Sequence, residues 1–274
     1  MPSPDSNAPS ALIADKVARL LEAGATAALA TLIEAPANVG TKLLIEDSGD
    51  TTGGLGNEAL SAAVVRQAVA FLNSKQEIRV YLVKEFAPQL FELDNAQVLF
   101  ERIQPEPRLV ICGAGHVGAA LVNLASVLGY SSTLIDDRAE FVARERFPDP
   151  RVDLVAAENW FDAVSKAIGN GHGVSVAVVT RGHSEDEECM RALMTCNADY
   201  VGLIGSKRRT RIVLERLQTS GADENKLKRV HAPIGLDIGA VTPEEVALAI
   251  MSEIVAVRRG GDGGGSLSEW RRNK

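Results

Sequence analysis

The sequence is poor in cysteine and in aromatic residues, and it has no excess of basic residues. Its 274 residues include three cysteines, Cys112, Cys189 and Cys196, which is an odd number at unrelated spacings. This usage excludes a disulfide framework and predicts reduced thiols in a cytoplasmic protein. The net charge of −7 argues against a nucleic-acid partner.

Long apolar runs are also missing. The longest strand-like stretch, residues 174–179, has six residues, whereas a membrane-spanning helix needs about 20. We therefore expect no membrane partner. Residues 1–9 are rich in Pro and Ser and carry no basic segment before an apolar block, so we expect a disordered leader rather than a signal peptide.

The composition is nevertheless that of a folded protein, because 46% of the residues are hydrophobic and can fill two cores. The segment Gln104-Pro105-Glu106-Pro107 predicts a stiff linker, since no helix can cross it. We expect a first domain over 10–104, a second over 108–258, and a flexible glycine-rich tail over 259–274.

The first domain has a mixed α+β pattern whose topology does not follow from the sequence. We expect a helix at 10–22 with Ser10 as its cap, and another at 58–72. The predicted strands are 27–33, 42–46, 78–83 and 98–103.

In the second domain, continuous apolar strands alternate with helices. This pattern predicts a Rossmann-like α/β fold, in which helices cover both faces of a parallel sheet. One helix is expected at 139–147. The last helix is expected to begin at Thr242, with Pro243 at its first position and Glu245 completing a capping box.

The sharpest motif is GAGHVG at 113–118, between the first strand of the second domain and a helix. Gly113 permits a tight turn, Gly115 lets a phosphate approach the backbone, and Gly118 lets helix and strand pack closely. The helix N-terminus suits an anion, and we expect His116 to point toward the ligand crevice. The candidate cofactor-binding residues here are Gly113, Gly115, His116, Val117 and Gly118.

The next strand ends in Asp136, Asp137 and Arg138, near the place of the ribose-binding acid in a dinucleotide-binding fold. A carboxylate there would hydrogen-bond a ribose hydroxyl and repel a 2′-phosphate. The pattern favours NAD or FAD over NADP, although Arg138 weakens that preference. The alternative is an inherited fold whose loop binds another phosphate or no ligand.

Two further polar clusters follow strands at the edge where open α/β sheets bind ligands. The first consists of Thr180, Arg181, Gly182 and His183. His183 is the candidate catalytic acid or base, with metal ligation, phosphate binding and loop fixing as the alternatives. No histidine or cysteine spacing predicts a metal site. The second cluster, in which cations at a helix start favour an anion site, consists of Gly205, Ser206, Lys207 and Arg208.

Six segments of the second domain occur in an order and spacing typical of one family. They read GAGHVG (113–118), DDR (136–138), RERFP (144–148), TRGH (180–183), GLIGSK (202–207) and HAPIGLDIG (231–239). Together they resemble the XdhC/CoxI family of xanthine dehydrogenase accessory proteins. The resemblance implies a Rossmann-like domain and a chaperone that binds molybdenum cofactor, protects it during sulfuration and delivers it to a molybdenum hydroxylase.

The first domain is similar to the family in its glycine-rich segment, GGLGNE at 53–58. Relatives commonly carry a cysteine just before that glutamate, where this chain has Asn57, and residues 10–104 contain no cysteine. The sequence therefore argues against an N-terminal thiolate that would hold molybdenum or carry sulfur.

Three functions stay open at this point. The first is a non-catalytic chaperone that serves a xanthine dehydrogenase-like hydroxylase, with a cysteine desulfurase as a further candidate partner. The second is an NAD(P)- or FAD-dependent oxidoreductase that uses His183, and the third is a nucleotide-binding regulatory protein. The amphipathic helices at 58–72 and 244–257 suit a homodimer and core packing equally well.

Overall fold

The computed structural model describes residues 8–74, 76–169 and 171–261. The chain divides into two compact units, Met1–Pro105 and Glu106–Lys274. The expected leader at 1–9 lies outside the described residues except for its last two, which belong to the first helix. The expected tail lies outside them from residue 262 onward.

The first unit is a five-stranded antiparallel sheet with a helix on each face. Its elements are α1 (Ala8–Ala23), β1 (Ala27–Glu34), β2 (Lys42–Glu46), β3 (Thr51–Gly53), α2 (Glu58–Asn73), β4 (Ile78–Leu82), α3 (Val83–Phe86) and β5 (Gln97–Ile103). The strand order is β3-β2-β1-β5-β4. Because side chains alternate along each strand, Ala28 and Ala30 contribute to the core under α2, while Ala27 belongs to the cluster under α1. The predicted α+β character is confirmed.

Helix α2 begins at Asn57, whose side-chain oxygen accepts a hydrogen bond from the Leu60 amide at 2.9 Å. This is the N-cap interaction that asparagine is suited to make. Further along the helix, the ring of Phe71 packs against that of Phe100 on β5, with centroids 5.5 Å apart. Asn57 therefore stabilises the start of α2.

The second unit contains a six-stranded parallel sheet. Its elements are β6 (Arg108–Cys112), α4 (His116–Val127), β7 (Ser131–Asp136), β8 (Val152–Ala156), α5 (Trp160–Ile168), β9 (Val174–Val178), α6 (His183–Thr195), β10 (Tyr200–Leu203), α7 (Lys207–Thr219), α8 (Glu224–Lys228), β11 (Val230–His231) and α9 (Pro243–Arg259). The strand order is β11-β10-β9-β6-β7-β8. All five pairings are parallel, so the predicted Rossmann-like sheet is confirmed.

Two apolar cores lie on the two faces of this sheet. On one face Leu121 of α4 and Ile250 of α9 belong to the cluster that contains Leu109 and Ile111 of β6. On the other face Val110 and Cys112 of β6 pack with residues of α5, α6 and α7. The chain order reverses between β6 and β9, and open α/β sheets bind ligands at such a switch point.

The predicted helix at 139–147 is wrong. The chain forms only a short 3-10 helix at Ala139–Val142 and then continues irregularly. The Arg144 guanidinium donates hydrogen bonds to the carbonyls of Phe147, Asp149 and Val152 at 2.9 to 3.1 Å. These side-chain contacts, rather than helical amides, satisfy the local carbonyl groups.

The starts of α9 and α1 agree more closely with the expected capping residues than the predicted helix at 139–147 does with the structure. Helix α9 has the expected capping box, in which Thr242 accepts from the Glu245 amide and the Glu245 carboxylate accepts from the Thr242 amide. Helix α1 begins at Ala8, two residues before the expected cap at Ser10.

Within the described residues, no helix has both the length and the apolar character needed to cross a membrane.

Gly118 sets the close packing between α4 and the turn before it. A Cβ atom on Gly118 would lie 1.9 Å from the carbonyl oxygen of Gly113, whereas one on Gly115 would meet no atom within 4 Å. We expect Gly118→Ala to lower the free energy of unfolding by about 3 kcal/mol, because the backbone must move to relieve the overlap. Urea denaturation would measure it. Gly115→Ala is the matched control and should unfold like the wild type; equal stability of the two variants would contradict this packing role.

Candidate functional site

The glycine loop lies at the carboxyl end of β6, beside the reversal of strand order. Gly113 has φ +114°, a conformation open to glycine, and its amide donates to the Ile135 carbonyl at 2.7 Å. Gly115 is the N-cap of α4 and places no side chain on the amides of the first turn. The start of α4 therefore presents backbone donors and the positive end of a helix dipole.

Beside the loop is a cavity of about 310 Å³. It brings together nine of the candidate residues, namely Gly113, Gly115, His116, Val117, Asp136, Asp137, Arg138, Thr180 and Arg181. Five residues that sequence reasoning did not select complete the lining: Trp160, Val179, Glu185, Ile204 and Pro243. The site thus combines the ends of β6, β7, β9 and β10 with the first residues of α5 and α9.

The other candidate residues lie outside this lining. Gly118 packs against the turn, Gly182 is the N-cap of α6, and His183 is the exposed first residue of that helix. The hydroxyl of Ser206 accepts from the Arg209 amide at 3.2 Å and caps α7. The remaining three candidates, Gly205, Lys207 and Arg208, surround that cap, and the last two are exposed.

Asp136 connects the glycine loop to the end of β7. Its carboxylate is 2% exposed and accepts the Ala114 amide at 2.7 Å. It also accepts the amide, Nε and Nη2 of Arg138 at 2.8 to 3.0 Å. Burial raises the pKa of the Asp136 carboxyl, but the hydrogen bonds from Arg138 and Ala114 outweigh this effect, so the pKa lies below its usual value. Ribose recognition by Asp136 stays a prediction, and the carboxylate already has four donors.

Asp137 and Arg181 form an ion pair at the rim of the cavity. The two guanidinium nitrogens Nη1 and Nη2 donate to the two carboxylate oxygens at 3.0 and 2.8 Å. Both side chains are partly exposed, and Arg181 also lies 3.5 Å from Glu185. Because exposed ion pairs contribute little free energy, a polar group of a ligand can replace either Asp137 or Arg181 in this pair.

A buried polar network beneath the cavity was missed by sequence reasoning. The Thr180 hydroxyl lies 2.5 Å from Oδ1 of Asp186, and Arg209 donates to Oδ2 of Asp186 from two nitrogens. Asp186 is fully buried. Burial raises its pKa, and the hydrogen bonds from Thr180 and Arg209 oppose only part of that shift. The sequence placed Asp186 in an acidic run at a helix start, and nothing there distinguished it from its neighbours.

The polar residues of the loop at 231–239 lie away from the cavity. His231 stacks on Tyr200, with ring centroids 4.6 Å apart, and its Nδ1 lies 3.2 Å from Glu253. Neither His231 nor Asp237 lines the cavity. Among residues 8–74, 76–169 and 171–261, no group of three His, Cys, Asp or Glu side chains is arranged to hold a metal ion.

The parallel sheet, its strand order and the glycine loop define a Rossmann-type domain. Residues 109–254 match the family model described as the XdhC Rossmann domain, and residues 20–82 match that of the XdhC and CoxI family. The first match covers more than half of the sequence. The chain belongs to the XdhC and CoxI family, as the sequence segments indicated.

The chain is also similar in sequence to two curated proteins. It is 27% identical over 256 residues to the uncharacterized protein YqeB of Escherichia coli K12, covering 91% of this chain and 47% of YqeB. It is 30% identical over 165 residues to a probable xanthine dehydrogenase subunit from Bacillus subtilis 168, covering 60% of this chain and 47% of that protein. This chain therefore spans about half the length of these relatives.

The structural comparison supports the fold. A crystal structure of a xanthine dehydrogenase from Bacillus halodurans is similar with a TM-score of 0.65. The similarity covers 91% of this chain and 67% of that chain at 22% identity.

We expect Asp136→Asn to lower the free energy of unfolding by about 2–3 kcal/mol near neutral pH, because an amide nitrogen would face the donors of Arg138. The folded-state pKa of Asp136 is lowered. Its stabilising effect is therefore complete above the unfolded-state pKa and is lost as the pH falls through the folded-state pKa.

The measurement is urea denaturation of the wild type and of Asp136→Asn at about pH 7 and about pH 3. The difference in their free energies of unfolding should be smaller at about pH 3. Asp137→Asn is the control, since its partly exposed ion pair should contribute less than about 1 kcal/mol. If Asp136→Asn matched this control at neutral pH, the anchoring role of Asp136 would be refuted.

Proposed function

We propose that this chain is an accessory protein that binds molybdenum cofactor in the glycine-loop cavity and delivers it to a xanthine dehydrogenase-type hydroxylase. The observation that carries this proposal is the open face of Gly115 at the start of α4, within an XdhC Rossmann domain. The cofactor is the cargo of this protein, and it supplies the redox centre once it is bound in the hydroxylase.

The residues of the cavity suit the phosphate of such a cargo. Gly115 leaves space where a Cβ atom would otherwise lie, and the first amides of α4 point their donors toward an approaching anion. His116, exposed at the first position of α4, also lines this cavity. The nearby carboxylates make phosphate recognition depend on these backbone donors more than on net positive charge.

The rim suits the pterin part, which presents both donors and acceptors at its edge. Asp137 can accept hydrogen bonds from amino groups, and Arg181 can donate to ring acceptors once the two side chains separate. Trp160 supplies an aromatic surface in the same lining. These groups orient a polar heterocycle without a covalent bond.

The positions of the cysteines argue against a thiolate that holds the cofactor. Cys112 and Cys189 are buried, Cys196 is partly buried, and all three belong to the second unit. Asn57 caps α2 where a family cysteine commonly lies. We therefore propose that the backbone and the rim, rather than a cysteine, hold the cofactor.

A non-catalytic role accords with the position of His183, the candidate acid or base, on the exposed surface outside the cavity lining. The proposed setting is the cytoplasm, with the hydroxylase as the main partner and a cysteine desulfurase as a second one. The glycine loop also favours an alternative, in which NAD or FAD occupies the cavity and the chain is an oxidoreductase or a nucleotide-binding regulator.

Isothermal titration with molybdenum cofactor, NAD, NADP and FAD would test the proposal. We expect the cofactor to bind the wild type, and Gly115→Val to weaken this binding at least about tenfold, because the valine side chain occupies the phosphate space. Thermal unfolding would check that the variant folds. His183→Ala is the control and should bind normally. Tight binding of NAD or FAD without affinity for the pterin would refute the chaperone role.

A further inference from the structure

The charge of the chain is unevenly distributed. The segment 207–229 carries eight of the 29 Lys and Arg residues but only three of the 36 Asp and Glu residues. An otherwise acidic chain thus has a basic region that comprises α7, α8 and the turn between them. Such a local reversal of charge favours an acidic binding partner.

Three of these eight cations contact residues outside α7 and α8. Arg209 pairs with the buried Asp186, and Lys226 donates to the carbonyls of Met194 and Cys196 at 2.9 and 2.8 Å. Arg216 lies 3.4 Å from Glu187 on α6. The remaining five are Lys207, Arg208, Arg211, Lys228 and Arg229, all exposed.

Three of those five, Lys207, Arg211 and Lys228, line a groove of about 430 Å³ between α7 and α8. We call it the α7–α8 groove. Its apolar lining consists of the partly buried side chains of Leu214, Leu227 and Ala232. The groove therefore combines an apolar floor with a basic rim.

The rim also contains carboxylates, which bear on what could bind. Arg211 lies 3.5 Å from Glu215, and Lys228 lies 2.8 Å from Glu224. These four side chains are well exposed, so the pairs contribute little and can exchange partners. A uniformly anionic surface, such as a nucleic-acid backbone or a lipid headgroup layer, would meet both carboxylates. A protein segment can instead place its acids opposite the cations and an apolar ridge on the floor.

We propose that the α7–α8 groove is the docking surface for an acidic amphipathic helix of a partner protein. The helix would place apolar side chains on Leu214 and Leu227, with acidic side chains beside Lys207 and Arg211. That the partner is the hydroxylase rests on the proposed function, whereas the groove itself is argued from its charge and shape.

The test uses the full chain and a labelled helical peptide whose glutamates flank a ridge of leucines. We expect the double variant Lys207→Glu/Arg211→Glu to bind this peptide at least about tenfold more weakly than the wild type. The helix should persist, because a glutamate in its first turn is favourable. The control, Arg19→Glu/Arg66→Glu, makes the same change of net charge at exposed residues of the first unit and should bind normally.

Several results would overturn the inference. One is equal binding of the peptide by both double variants; another is equal binding of a scrambled peptide, which has the same charge without the ridge. Tighter binding of a DNA duplex or of anionic vesicles at the same residues would assign the groove to another class of partner.

Reconstitution of a xanthine dehydrogenase apoenzyme separates this inference from the proposed function. Activation by the wild type that is lost in the groove variant supports both. Activation that persists in the groove variant overturns the assignment of the hydroxylase as the partner of this groove, while the peptide experiment decides the groove itself. Peptide binding without any activation by the wild type overturns the delivery role and leaves the groove supported.

Discussion

The hydrogen bond from the Ala114 amide to Asp136 is the interaction on which the site depends. It fixes the middle of the glycine loop to the end of the neighbouring strand. The same carboxylate holds Arg138, whose guanidinium lies 3.5 Å from the centre of the Phe141 ring. One buried side chain thus orders the loop, the turn after β7 and one wall of the cavity. Because the Asp136 carboxylate is already hydrogen-bonded within the protein, the exposed carboxylate of Asp137 is the more accessible of the two to a ligand.

Paired charges around the cavity leave backbone donors as the main source of positive potential. Arg138 and Arg181 each contact a carboxylate, so neither is a free cation before a ligand binds. The start of α4 has no side-chain cap, and its amides therefore face the cavity with their hydrogen-bonding capacity available. Such a site selects for a small anionic group attached to a polar body more than for high total charge.

The sequence predicted most of the fold because the decisive signals are local. Apolar runs located the strands of the second unit, and Thr242 with Glu245 specified the start of α9 through hydrogen bonds within four residues. The predicted helix at 139–147 is wrong because the chain leaves helical geometry after Val142, and Arg144 donates to the carbonyl groups of Phe147 and Val152 further along the chain. Those contacts depend on a side-chain conformation that residue spacing does not encode.

The candidate site was predictable in its composition and less so in its contacts. Parallel strands bring their carboxyl ends to the same edge of the sheet, so the polar residues after β6, β7 and β9 were expected to lie close together. Which of two adjacent aspartates turns inward is decided by the Ala114 amide, which is distant in sequence. The burial of Asp186 likewise depends on Arg209 from another helix. In the sequence, Asp186 stands among other acidic residues at a helix start, so its burial could not be predicted.

Helix α7 is the element that the cavity and the α7–α8 groove share. Ile204, three residues before α7 begins, lines the cavity, while Lys207 at its first position lines the groove. From the same helix Arg209 contacts Asp186, which in turn contacts Thr180 in the cavity wall. A displacement of α7 by a bound partner would therefore act on the ion pair between Arg209 and the buried Asp186, directly behind the cavity. Because breaking such a pair is costly, docking at the groove would affect the cavity to the extent that it moves Arg209.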